Sequence, residues 1–183
     1  MSADEDLRSI LRMMLRNAVR SYFREQKPIG GAYGYEWPAS GRIAIHMARS
    51  EWALRWEKRG ITVDLEYGQR GKHGDPKLNL DTGRRVRPDI IIHRRGCDEI
   101  NWLVCEVKLH SGKQPRRHAH DLDKLIRYRQ QYGYRLAIWL SLPKSINPGA
   151  QAFIREVVSD ESGRDRPGDV HPFVTVGDPR QPF

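Results

Sequence analysis

The chain has 183 residues, 38% of them hydrophobic and 30% charged, and carries a net charge of +9 at neutral pH. That length suits a single domain able to bury about 70% of its unfolded surface, and no apolar run approaches the 18 or so residues of a membrane span. The excess positive charge calls for a polyanionic partner, nucleic acid before membrane, because no segment reads as a lipid-inserting helix.

The acidic start Asp4-Glu5-Asp6 is unlike a secretory leader, and a cytoplasmic protein is expected. Leu7, Ile10, Leu11, Met14, Leu15, Ala18, Val19, Tyr22 and Phe23 then recur at helical spacing, with Ser2 and Glu5 at the spacing of a capping box. A second stripe, Arg8, Arg12, Arg16, Arg20 and Arg24, serves as a solvated face or as a phosphate contact. The same helix also offers a surface for a homodimer or larger assembly. Residues 27–41 read as a loop, punctuated by Pro28, Gly30, Gly31, Gly34, Pro38 and Gly41. Tyr33, Tyr35 and Trp37 within it either anchor the loop or stack on bases.

A helix over 43–59 is expected next, capped by Ser40 and stopped by Gly60, with Ile43, Met47, Trp52, Leu54 and Trp56 as its apolar surface. Strand one follows over 61–67, and then a polar loop over 69–85 whose Lys72, His73, Lys77, Arg84 and Arg85 are placed to meet a phosphate backbone. Residues 110–120 form a second basic loop with Lys113, Arg116, Arg117, His118 and His120. A helix over 121–132 turns Leu122, Leu125, Ile126 and Tyr132 to the core, and residues 135–140 read as a further strand. Asn147-Pro148 is read as the cap of a last helix bearing Phe153, Ile154, Val157 and Val158. A mobile linker over 159–172 and an edge strand over 173–176 complete the expectation.

Between these elements lies the most informative stretch. Asp89-Ile90-Ile91-Ile92-His93 and Trp102-Leu103-Val104-Cys105-Glu106-Val107 are two strand-like runs around a turn. A turn centred near Cys97-Asp98 places Asp89 opposite Glu106, with Cβ atoms about 5 Å apart. Cys105 inside its strand is expected to be unpaired, and the two cysteines suit a reducing compartment. Alternation sets Glu106 and Lys108 on one face. Two ionised carboxylates 4 Å apart repel by about 4 kcal/mol at an effective dielectric near 20. A compensating cation is needed: Lys108 in part, and more effectively Mg²⁺ or Mn²⁺, which suit hard oxygen ligands.

Pro88-Asp89 followed after one hairpin by Glu106-Val107-Lys108 resembles the PD-(D/E)xK nuclease superfamily. Val63-Asp64-Leu65-Glu66-Tyr67 upstream and Asp121-Leu122-Asp123-Lys124-Leu125 downstream extend the likeness over roughly residues 40–140. The resemblance implies an α/β fold: a mixed central β-sheet with helices on both faces, a restriction-endonuclease-like core. Residues 1–183 would form one nuclease-like domain, with 1–39 as N-terminal helix and loop, 40–158 as core and 159–183 as mobile extension.

The resemblance further implies a metal-dependent nuclease acting on DNA before RNA. Asp89 and Glu106, with the Val107 carbonyl, would hold the metal, and Lys108 would orient or deprotonate the attacking water. Lys113, Arg116, Arg117, Arg84 and Arg85 would contact nucleic acid. Gln130, paired with Tyr134 in a QxxxY spacing, would reach toward substrate. Superfamily members commonly add a glutamate near the start of the helix before strand one. Glu36 is the first choice for that role and Glu51 the second, while Glu57 stands too far along the helix and Glu66 faces either way. Two other classes remain open: a non-catalytic nucleic-acid-binding scaffold of the same fold, and a protein-interaction domain whose arginines serve solubility.

Overall fold

The computed structural model describes residues 2–26, 36–65, 69–70, 75–76, 78, 83, 87–97, 99–111 and 119–176. Helix α1 (Ala3–Gln26) opens on the expected capping box: the Glu5 N–H donates to Ser2 Oγ at 3.3 Å and the Ser2 N–H to Glu5 Oε2 at 3.4 Å. Its apolar stripe, from Leu11 to Phe23, is buried. The arginine stripe is largely spent on the protein itself. Arg8 pairs with Asp4 at 3.0 Å, and Arg12 grips Glu156 through two bonds of 2.6 and 2.7 Å. The Arg16 guanidinium lies over the Phe173 ring, 5.0 Å from its centre.

The helix expected over 43–59 is two helices. Helix α2 (Glu36–Ala48) starts ahead of Ser40, because Pro38 falls in its first turn, where an N–H has no intrahelical acceptor and proline costs nothing. After a turn, Ser50 Oγ accepts from the Ala53 N–H at 3.2 Å and caps α3 (Glu51–Glu57). Leu54, expected in the apolar surface, is half-exposed. Gly60, at φ +72°, reverses the chain into β1 (Ile61–Leu65). Within the stretch expected as loop, β2 (Gln69–Arg70) and β3 (Asp75–Pro76) pair as a small antiparallel ribbon.

The expected hairpin is β4 (Ile90–Arg94) and β5 (Asn101–His110), antiparallel, with Ile90 opposite Cys105 and Ile91 opposite Val104. A bulge between Ile92 and His93 then brings His93 opposite Asn101. Helix α4 (Ala119–Tyr132) crosses to β6 (Leu136–Pro143), which runs parallel to β5 as a crossover helix permits.

Two C-terminal expectations are corrected. Residues 151–159 form a strand, β7 (Gln151–Ser159), not a helix. Residues 165–175 form a second strand, β8 (Asp165–Thr175), hydrogen-bonded to β7, so the expected linker and mobile extension are a turn over 160–164 and then sheet as far as residue 175. β7 lies between two strands and buries residues on both faces, Ala152, Phe153, Ile154 and Val157; interrupted by Arg155 and Glu156, its apolar residues 153, 154, 157 and 158 fall at a spacing that mimics a helical stripe. β8 is an edge strand with Pro167 and Pro172, residues that an edge tolerates and that blunt further pairing.

The main sheet has order β1-β4-β5-β6-β7-β8, and β5/β6 is its parallel pair. On one face Leu103, Cys105, Val107, Ile138 and Leu140 pack with α1, α2 and α3. On the other Ile91, Val104, Ala137 and Trp139 pack under Leu122, Leu125, Tyr128 and Tyr132 of α4. The protein is therefore an α/β domain, a mixed sheet covered on both sides. No helix among the described residues is long and apolar enough to cross a membrane.

Candidate functional site

Asp89 immediately precedes β4, and its Oδ2 accepts the Val107 N–H at 2.7 Å. A residue's N–H and C=O leave a strand on the same side, so the Val107 carbonyl also faces the Asp89 side of β5. Glu106 and Lys108 follow Val104 on the face covered by α4, as alternation requires. The pairing that sets Ile90 against Cys105 carries Asp89 to the level of Glu106. The hairpin thus brings together the three residues expected at the centre of the site.

Glu106 is 1% exposed. Burial pushes its pKa up to about 7; Lys124 and Lys108 oppose the rise, while the charge of Asp89 adds to it. Lys124 Nζ stands 2.7 Å from Glu106 Oε1 and 5.6 Å from the centre of the Tyr128 ring. Burial, followed by the charges of Glu106, Tyr134 and Asp89, also raises the Tyr128 phenol, whose hydroxyl has no hydrogen-bond partner among the described residues. In the sequence Lys124 stands out only as part of a helix motif. It stands four residues before Tyr128 and one before Leu125, on the inward side of α4, and a lysine on an apolar stripe was the available signal.

A second buried carboxylate was also missed. Asp64 of β1 faces the same side as Ile91, its partner in register. Its Oδ2 accepts from Arg95 Nε at 2.8 Å and from Thr62 Oγ1 at 3.0 Å, and lies 2.8 Å from His93 Nε2. Arg95 Nη2 completes a two-pronged pair with Oδ1. Burial alone would raise its pKa, but these hydrogen bonds and the Arg95 charge win and hold it well below the usual carboxylate range. The network ties the β4–β5 turn to the sheet edge. Both Asp64 oxygens are thus engaged by side chains of the protein.

Glu51 is excluded from the site: it pairs with Arg55 and its side chain is 74% exposed. Glu57 is exposed, as expected. Glu36 is the first residue of α2, the place where the resemblance asks for an acid, although its carboxylate lies outside the described structure. Glu66, Arg84, Arg85, Lys113, Arg116, Arg117 and His118 lie outside the described residues, as do Lys72, His73 and Lys77. His120 and Gln130 are exposed on α4. Tyr134 is buried beyond the end of that helix, which Gly133 closes at φ +66°, so the QxxxY spacing straddles a helix end. Both cysteines are free, and burial pushes the Cys105 thiol well up, leaving it unreactive.

Scans of family models, curated proteins and solved structures found no match to the chain. Its chemistry therefore rests on the residues themselves.

The oxygen set suits a divalent cation in composition. Asp89, Glu106 and the Val107 carbonyl are hard donors, and Mg²⁺ is commonly held by one or two carboxylates with water completing its shell. The orphaned Tyr128 hydroxyl beside the two acids leaves a polar group for such water to satisfy. Among the described residues no group of three or more His, Cys, Asp and Glu side chains is gathered closely enough to hold a metal. The described acids of the hairpin are Asp89 and Glu106.

Proposed function

We propose that the protein is a metal-dependent nuclease of the PD-(D/E)xK type, with a restriction-endonuclease-like core, cutting DNA in preference to RNA. One observation carries the reading: Asp89 joins β5 beside Glu106, and the buried Glu106 carboxyl is pushed up to about 7 with Asp89 among the causes. A fold holds two acids in mutual repulsion at a buried strand when their joint use offsets the cost. Asp89, Glu106 and the Val107 carbonyl would hold Mg²⁺ or Mn²⁺. Once bound, the ion would supply Lewis-acid stabilisation of charge on the phosphate and leaving oxygen. Lys108, two residues past Glu106 on the same face, orients or deprotonates the attacking water. Lys124 neutralises Glu106 before loading and must yield it to the metal.

The same Lys124 contact favours a second reading. An ammonium 2.7 Å from Glu106 already supplies a cation, as in a scaffold that keeps the fold and binds nucleic acid without cutting it. Cleavage of several DNA and RNA forms with Mg²⁺, Mn²⁺ and chelator separates the two. The expected outcome is metal-dependent cleavage, lost in Asp89→Ala, Glu106→Gln and Lys108→Ala with the fold kept. Glu36→Gln is expected to raise the Mg²⁺ requirement and Glu57→Gln to leave it unchanged. Full activity in Asp89→Ala would overturn the nuclease reading. Binding without cleavage under every condition would establish the scaffold.

A further inference from the structure

Beyond the last paired residues of β5 and β6, His110 and Pro143, lies a cavity of about 540 Å³. Such crevices outside the carboxyl ends of parallel strands are where open α/β sheets commonly take ligands. Its polar lining comes from His110, Ser111, Lys144, Ser145, Asn147 and Gln151, with no carboxylate among the described lining residues. The interior wall is His110, which is 5% exposed and stands edge-on to Phe153. His110 Nδ1 lies 2.8 Å from Ser141 Oγ.

That bond fixes the tautomer. Ser141 is fully buried, and among the described residues its hydroxyl has no other side-chain partner. A buried hydroxyl must donate, so Ser141 gives its proton to Nδ1 and the imidazole carries its own hydrogen on Nε2. Nε2 lies on the edge of the ring away from Ser141, and the ring lines the cavity, where this N–H is open to a ligand or to water. A donor held at the wall of a cavity that also carries a lysine and several hydroxyl and amide groups, and no carboxylate among the described residues, suits an anion.

We infer that this cavity binds a phosphate of the nucleic-acid strand, with His110 Nε2–H as its interior donor and Lys144 as its charge at the mouth. The assignment to a strand rests on the nucleic-acid reading above, whereas the anion site itself does not. His110 lies four residues beyond Glu106 on the same face of β5, about 13 Å along the strand. A nucleic acid advances about 3.4 Å per nucleotide, so the bound phosphate would lie a few nucleotides from the acids. Held there, the strand is fixed in register over Lys108.

The test uses the full chain, isotopically labelled, in chelator so that nothing is cut. It is titrated separately with inorganic phosphate and with a short single-stranded oligodeoxynucleotide, and the His110 imidazole resonances are followed. Both ligands are expected to move them. Oligonucleotide affinity should fall about tenfold in the double variant His110→Leu with Ser141→Ala, the scale of one hydrogen bond to a charged group. Lys144→Ala, an exposed change that spares the fold, should weaken binding about threefold. His110→Gln, which keeps an N–H donor, should restore part of the loss. Resonances moved by phosphate but not by the oligonucleotide would overturn the strand assignment, and resonances unmoved by either would overturn the site. If the oligonucleotide binds through His110 while added metal produces no cleavage, the subsite stands and the nuclease reading falls.

Discussion

A carboxyl group that keeps its proton up to about pH 7 costs the metal-free protein stability whenever it is ionised. The ordinary value for Glu106 is 4.5, so between pH 4.5 and 7 the folded chain binds the extra proton. Stability therefore falls as pH rises through that window, and the penalty, about 3 kcal/mol, is complete above pH 7. In chelator, Glu106→Gln should be more stable than the parent at pH 8 and equal to it below pH 4.5, measured by urea unfolding. Mg²⁺ should raise the melting temperature of the parent at pH 8 but not that of the variant. A pH-independent difference would remove Glu106 from the role of strained acid. Asp64 has the opposite sign. Its depressed pKa contributes stability above the ordinary 3.8, lost as pH falls below it. Asp64→Asn should cost about 2 kcal/mol at neutral pH, at the low end for a buried charge because Arg95 is already 60% exposed and hydrated. The two unfolding curves should converge in acid.

Helix α4 carries Lys124 and Tyr128 over the sheet, and its end is set by Gly133. A Cβ there would meet nothing within 4 Å, so Gly133→Ala isolates the backbone term: about 1 kcal/mol for a left-handed residue, read as a shift in urea midpoint with the slope unchanged. This α4 crossover was legible in the sequence, as was the hairpin with its Asp89–Glu106 register, because β-branched runs ended by turn residues admit few pairings. The start of α2 was not. Pro38 is loop punctuation in most contexts and harmless only in a helix's first turn, a fact of position that residue type does not carry. Ser50, the cap that divides α2 from α3, sat unnoticed within an apparently continuous apolar period. β7 and β8 failed for complementary reasons, one apolar at a helix-like spacing and the other a proline-bearing edge. At the site, spacing found the acids and Lys108, while Lys124 and the His93–Asp64 bond depend on how α4 and β1 dock and are long-range facts.

At the scale of the molecule, the charge of +9 remains the reason to expect a polyanion. Because α1 spends Arg8, Arg12 and Arg16 on its own fold, the phosphate contacts fall by expectation to the basic segments outside it. Neutralising Lys113, Arg116 and Arg117 together should reduce the slope of log binding constant against log salt by about 2 to 3 on duplex DNA, at roughly 0.9 per phosphate contact. An unchanged slope would leave those residues to solvent. The apolar side of α1 is likewise packed internally, and Met13 is the large hydrophobic residue that α1 exposes among the described residues. The Arg12–Glu156 bond spans 144 positions of the chain. A ribosome adding about 5 to 20 residues each second needs on the order of ten seconds to cover that interval. Throughout it α1 can rest against α2, but the strand that clasps it does not yet exist. The nascent protein therefore holds an oily helix in waiting, and strands made long after it decide whether α1 ever finds its seat.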